Sequence, residues 1–405
     1  MGDPSRVRVT GPLAPFADGF AAELSRQGYR PNAAADQLRL MAHLSRWLAA
    51  HALDAAALTP PVMEAFLAAR RSQGYTLWLS PKALAPLARY LRDLQVAPPV
   101  TDTVLGPTEE LLDRYRGHLV SERGLAAVTA RGYVDMVRPF VVTRAVADGV
   151  DLSSLTPADV TEFVVTTCRG RSAGSARLTV TALRSLLCFL HVEGLTATPL
   201  AAAVPSTANW KLSGLPRRLD AGEVDRLLAA CDRRTPTGRR ALAMLKLLVR
   251  LGLRAGEVRS LTLDDIDWRA GELIVRGKGS RQERLPLPVD VGEAVALYLH
   301  RGRPATAEGR TVFVRMRAPH QPLTSSAVTF VVATAAQRAG LGRLGAHALR
   351  HTAASQMVRA GVPLPEVGQV LRHRRLLTTA IYAKVDQEGL RLLARPWPGG
   401  EARQC

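Results

Sequence analysis

GELIVRGKGSRQERLPLP, residues 271–288, decides the fold class, because it is the stretch that breaks a chain otherwise written in helical periods. It reads as two strands around a Gly-Lys-Gly turn. On its N-terminal side, Asp220 and Glu223 have the spacing of a capping box before EVDRLLAAC, and GRRALAMLKLLVRLG is an apolar helix closed by Gly252. On its C-terminal side, helices are predicted over 324–339, 346–360 and 364–371, with a last short one after Thr378 and Thr379. The class expected is mainly α, with a small antiparallel sheet in the C-terminal part.

Proline-rich breaks at APPV (97–100) and between Pro205 and Pro216 divide the chain into three pieces. The first two read as entirely helical. In DQLRLMAHLSRWLAA the apolar residues Leu38, Met41, Leu44 and Leu48 recur at three-to-four spacing, and VTARGYVDMVRPFVV has the same character. The two pieces also resemble each other: LTPPVMEAF (58–66) matches LTPADVTEF (155–163), and ALAPLARYL (83–91) matches ALRSLLCFL (182–190). In both, a cap threonine (Thr59, Thr156) and a proline at the first helical position start a helix. Two matches in the same order suggest duplication. The expected domains are an N-terminal helical module at 1–105, its duplicate at 106–208, a third domain at 216–395 and a tail at 396–405.

Lys and Arg number 54 against 35 acids in 405 residues, a net charge of +19 that favours a polyanionic partner. Codon bias in an Ala- and Arg-rich chain is the plainer source of such a charge. No basic amphipathic segment with Trp and Phe opposite stands out, so nucleic acid is favoured over a membrane surface. Apolar runs are interrupted by charge, as Lys246 and Arg250 interrupt ALAMLKLLVRLGL, so no membrane span or signal peptide is expected. Lysine is rare: Lys82, Lys211, Lys246, Lys278 and Lys384 are the five. Cys168, Cys188, Cys231 and Cys405 show no CxxC spacing, so reduced thiols in a cytoplasmic protein are expected.

HALRH, residues 347–351, sets two histidines four apart on a helix. Such a pair can share a cation, but a zinc peptidase helix needs glutamate at the second position, where Ala348 stands. His347 and Arg350, three apart, project from one face, and a guanidinium beside an imidazole suits an oxyanion undergoing proton transfer. Downstream lie His373 in LRHRR and Tyr382 in TTAIYAKVD; upstream, Arg254 follows Gly252 with Glu257 three residues on, and Lys278 sits in the hairpin turn.

In this order the residues resemble the catalytic set of the tyrosine recombinase (phage integrase) family: Arg254 in GLRAGEV, Lys278 in RGKGSRQER, His347 and Arg350 in HALRHTAAS, His373 in LRHRR and Tyr382. The resemblance covers roughly 108–385, including a helical core-binding domain. It implies Tyr382 as nucleophile, Arg254 and Arg350 on the non-bridging phosphate oxygens, His347 in proton transfer, Lys278 as general acid for the leaving 5′ oxygen, and His373 on the scissile phosphate. Glu257 would orient its neighbours; His351 and Lys384 are expected to be structural or backbone-contacting. It implies no cofactor and no metal, because two arginines meet the phosphate charge.

The partner implied is double-stranded DNA, held by a homo-tetramer or by a mixed assembly with related recombinases. One departure is Arg372, where the family commonly has glycine; it alters that turn or adds a phosphate contact. The tail ending RLLARPWPGG resembles recombinases encoded in groups of three in mobile elements. Two rivals share the sequence features: a type IB topoisomerase that relaxes DNA without exchanging partners, and a DNA-binding accessory protein whose catalytic set is idle. Residues 1–98 are expected to act as a second core-binding-like module, with Arg39, Arg46, Arg70, Arg71, Lys82, Arg89 and Arg92 extending the DNA footprint; the alternative is a module that mainly contacts a neighbouring protomer, its charge merely solvated.

Overall fold

The structure, a computed structural model, describes residues 3–99, 106–147, 149–206, 217–277, 282–373, 379 and 381–382. The chain divides into two compact units, one of residues 1–99 with 212–405 and the other of 100–211.

Residues 3–99 hold four α-helices: α1 (Ala17–Arg26), α2 (Pro31–Ala50), α3 (Pro60–Ser72) and α4 (Pro81–Asp93). Three start with proline in the first turn, where a missing N–H costs nothing. The predicted stripe of α2 is the buried one: Leu38, Met41, Leu44 and Leu48 pack with Phe20, Phe66, Leu84 and Leu91. Thr59 precedes α3 in extended conformation but makes no side-chain cap, contrary to the sequence reading.

The second unit contains α5 (Pro107–Ser121), α6 (Ala127–Val142), α7 (Pro157–Cys168) and α8 (Ala173–Val192) around a core that includes Tyr115, Phe140, Leu183 and Leu186. Thr156 caps α7 in a full capping box with Asp159. This piece is not entirely helical: β1 (Ala145–Val146) pairs antiparallel with β2 (Gly149–Val150). Strands of two residues carry no period that a sequence pattern can register.

Returning to the first unit, α9 (Ala221–Ala229) begins in the expected Asp220–Glu223 capping box. Next comes α10 (Pro236–Arg250), buried nearly all round through Leu242, Met244, Leu245, Leu247 and Leu248. A helix buried over so much of its surface belongs at the centre of a domain. Short α11 (Ala255–Ser260) leads into a three-stranded antiparallel sheet of β3 (Ile266–Asp267), β4 (Glu272–Arg276) and β5 (Gln282–Pro286), in that order. The β4–β5 hairpin was expected; β3 adds a third strand by pairing Ile266 with Leu273. An ion pair of 2.8 Å from Arg276 to the buried Asp265 holds the hairpin's end. Then follow α12 (Val289–Arg301), α13 (Ser325–Arg338), α14 (Ala346–Arg359) and α15 (Leu364–Val370).

Helix α12 packs antiparallel to α10: Lys246 reaches the Asp290 carboxylate at 3.2 Å near one end, and Arg239 donates to the Arg301 carbonyl at the other. One of the rare lysines is thus structural. Among the described residues no helix is long and apolar enough to cross a membrane, and Cys168, Cys188 and Cys231 are free thiols. Lys278, Lys384, Cys405, most of the predicted last helix and the tail lie outside the described residues.

Candidate active site

The site is assembled where α10 ends. Gly252 turns the chain with φ +58°, and the approach is close: a Cβ there would lie 2.6 Å from the Leu371 side chain. Arg254 then occupies the N-cap of α11, its backbone N–H donating to Glu257 Oε2 at 2.8 Å. The Arg254 guanidinium donates to Glu257 Oε1 at 2.6 Å and to the Arg372 carbonyl at 3.1 Å. It remains 43% exposed, so it can still meet a ligand.

Arg372 does not offer the phosphate contact that the sequence left open for it. Its backbone takes φ +56°, and its side chain, 4% exposed, turns inward to donate to Glu257 Oε2 at 2.9 Å. The turn wants the left-handed region that glycine adopts freely. Arginine is accommodated there by a buried carboxylate. Burial alone would raise the Glu257 carboxyl, but Arg372 first, then the backbone and side-chain bonds from Arg254, outweigh it and hold it below the usual carboxylate range. Glu257 therefore couples Arg254 to the turn that carries His373.

Helix α14 supplies His347, Arg350 and His351. Arg350 is 1% exposed and donates to the carbonyls of Gly252 and Leu371, tying the end of α10 to the end of α15. Burial, then the nearby Arg254 and Arg372 charges, bring its pKa down to about 10, so it stays cationic at neutral pH. His347 is depressed by burial and by Arg350 and Arg254. Its ring meets that of His351 edge-on, with centroids 4.3 Å apart.

Tyr382 is 1% exposed and packs in a small cluster with Ala354, Val358, Val367 and Leu371. Its hydroxyl hydrogen-bonds His351 Nδ1 at 2.8 Å, a partner the sequence reading missed by leaving His351 structural. The available signal was that His351 shares a helix face with His347. His373 stacks parallel to Tyr382 at 6.3 Å between centroids and bonds Thr379 Oγ1 at 2.8 Å. Burial raises the Tyr382 phenol, partly offset by Arg350. His351 and His373 are both pushed down to about 4, by burial first and then by neighbouring positive groups. At neutral pH the imidazoles are uncharged and able to accept a proton.

Of the predicted residues, Arg254, Glu257, His347, Arg350, His373 and Tyr382 come together, and Lys278 lies outside the described residues. No group of three or more His, Cys, Asp or Glu side chains suited to a metal occurs among the described residues.

Residues 217–388 match the phage integrase family model, and residues 112–194 match that of the phage integrase N-terminal SAM-like domain. The chain is 40% identical over 399 residues to the putative integrase/recombinase y4rA of Sinorhizobium fredii, covering 96% of this chain and 95% of that protein. It is 34% identical over 308 residues to the tyrosine recombinase XerD of Mycobacterium tuberculosis, covering 72% of this chain and 97% of XerD. The fold is similar to XerH site-specific recombinase in a post-cleavage complex with its difH substrate (TM-score 0.55, 18% identity, 72% of this chain and 97% of that one). It is similar also to a lambda integrase dimer on a COC′ core site (TM-score 0.51, 22% identity, 73% and 99%). The chain belongs to the phage integrase family, the tyrosine recombinases, a family of DNA strand-transferring enzymes.

Proposed function

We propose that the chain is a site-specific recombinase of a mobile element that cuts and rejoins double-stranded DNA through Tyr382. The observation that supports this most is the gathering of two guanidiniums and three imidazoles in one cluster with the buried Tyr382, whose hydroxyl bonds His351. The Tyr382 oxygen bonds to phosphorus, the bond to the 5′ oxygen breaks, and a 3′-phosphotyrosyl link keeps the strand end for rejoining. The Tyr382 proton leaves toward the His351–His347 imidazole pair. Arg254 and Arg350 meet the charge that builds on the non-bridging oxygens, and His373 hydrogen-bonds the phosphate. Glu257 aligns Arg254, and Lys278, by family resemblance, protonates the leaving 5′ oxygen. No cofactor enters.

In this reading residues 106–208 are the core-binding domain and 216–395 the catalytic domain. Four protomers, of this chain alone or mixed with related recombinases, exchange strands between two DNA sites in the cytoplasm. A lambda integrase tetramer bound to a Holliday junction shares the fold (TM-score 0.50, 21% identity).

The test is a nicked duplex from the element's own ends, whose short 5′ fragment diffuses away and traps the covalent complex. The wild-type chain should form an adduct and Tyr382→Phe should not, while DNA binding persists. An adduct in the phenylalanine variant would reject Tyr382. Strand exchange on a two-site substrate, rather than relaxation of a single circle, separates recombinase from topoisomerase.

A further inference from the structure

A second basic feature lies at the other end of α10, within the first unit. Here α1, α2 and α4 meet the segments that follow α12. Gly28, at φ +80°, approaches so closely that a Cβ would lie 2.2 Å from Thr306 Oγ1, and Arg26 pairs with Glu308. Beside this seam is a cleft of about 1210 Å³. Arg30 and Lys82 line it on one side; Arg301, Arg315 and Arg317 line it on the other. All five are exposed, and none of these side chains makes a hydrogen bond or ion pair among the described residues.

This concentration is not general to the module. Of the N-terminal bases expected to reach DNA, Arg39 is paired with Asp36, Arg71 with Glu64 and Arg89 with Asp93, while Arg70 is buried against Tyr75 with its guanidinium 4.0 Å from the ring centroid. Among the described residues the only carboxylate lining the cleft is Asp36, which already holds Arg39. Five exposed cations without a carboxylate partner along one cleft make a positive surface that favours a polyanion. Arginine's planar fork suits phosphate oxygens. Lys82, one of five lysines in the chain, is among the five.

Helix α10 runs from Pro236, at the cleft, toward Arg254 in the catalytic cluster. Fifteen residues of helix span roughly 22 Å. One phosphate cannot serve both places. We propose that this cleft is a second DNA-backbone site, separate from the one at Tyr382 and taking the phosphates of a duplex; this rests on the strand-transfer reading for its biological sense, but the binding stands apart from it.

The test uses the full chain and a random-sequence duplex, titrated with salt. Trp78, which lines the cleft and is 39% exposed, reports occupancy as the fluorescence change that Trp78→Phe abolishes. The triple variant Lys82→Glu, Arg315→Glu, Arg317→Glu should lose that change. Its slope of log K against log salt should become shallower by about 2 to 3, at about 0.9 for each phosphate no longer neutralised. A matched variant reversing Arg6, Arg8 and Arg226, outside the cleft, should keep the Trp78 response. An unchanged slope and Trp78 response in the cleft variant, an equal loss in the matched variant, or a Trp78 response to single strands and not to duplex would each overturn the proposal. Failure of the wild-type chain to form an adduct on its own element's ends would reject the strand-transfer reading and leave this Trp78 measurement untouched.

Discussion

Arg372→Gly puts into the turn before His373 the residue its backbone geometry favours, and so separates conformational strain from ion pairing. The arginine sits at φ +56°, where an L-residue costs about 1–2 kcal/mol that glycine avoids. Against that gain stands the pair with Glu257, whose two side chains are 4% and 5% exposed. Removing one partner of a buried pair costs about 3–5 kcal/mol. Glu257 keeps both bonds from Arg254, so the lower end, about 3 kcal/mol, applies. The net expectation is a loss of about 1–2 kcal/mol, read as a lower urea midpoint at unchanged slope. Because Glu257 also aligns Arg254, adduct formation should slow by about tenfold, equivalent to about 1.4 kcal/mol. A glycine variant as stable as the wild type, or more so, would refute the reasoning and show that strain outweighs the buried pair.

Arg254→Ala and Arg350→Ala should each remove on the order of 3 kcal/mol of transition-state stabilisation, measured as adduct rate. Arg350→Ala should lower the melting temperature further than Arg254→Ala, since it strands the carbonyls of Gly252 and Leu371, whereas Glu257 keeps Arg372 when Arg254 is removed; equal melting temperatures for the two variants would contradict that assignment. His351 and His373 are held near 4, below the ordinary 6.5 of an unfolded chain, so the unfolded state binds more protons between those values. Stability should therefore be fully present above about pH 6.5 and decline toward pH 4, checked by denaturant titrations at several pH values with the His351→Asn, His373→Asn double variant as the flatter reference. Lys278→Ala should slow cleavage of a normal substrate yet be rescued when sulfur replaces the leaving 5′ oxygen, and a folded variant without rescue would make this lysine a positioning group.

Local order was legible in the sequence because its causes are local. The three-to-four spacing of Leu38, Met41, Leu44 and Leu48 places them on one helix face, and that face is buried. The Asp220–Glu223 capping box and the left-handed Gly252 depend only on near neighbours. The six catalytic candidates were legible for another reason, the order in which a known chemistry requires them; five of them lie among the described residues and come together. Tertiary structure alone decided the rest. Arg372 meets Glu257 across 115 positions, and Arg350 meets Gly252 across 98, so no spacing rule relates them. His351 and Tyr382 are joined only by the packing of α14 against the cluster around Val367 and Leu371. Which arginines are neutralised and which stand bare in the cleft was equally beyond the sequence, because a list of charges holds no distances, and the energy between charges is set by distance and burial.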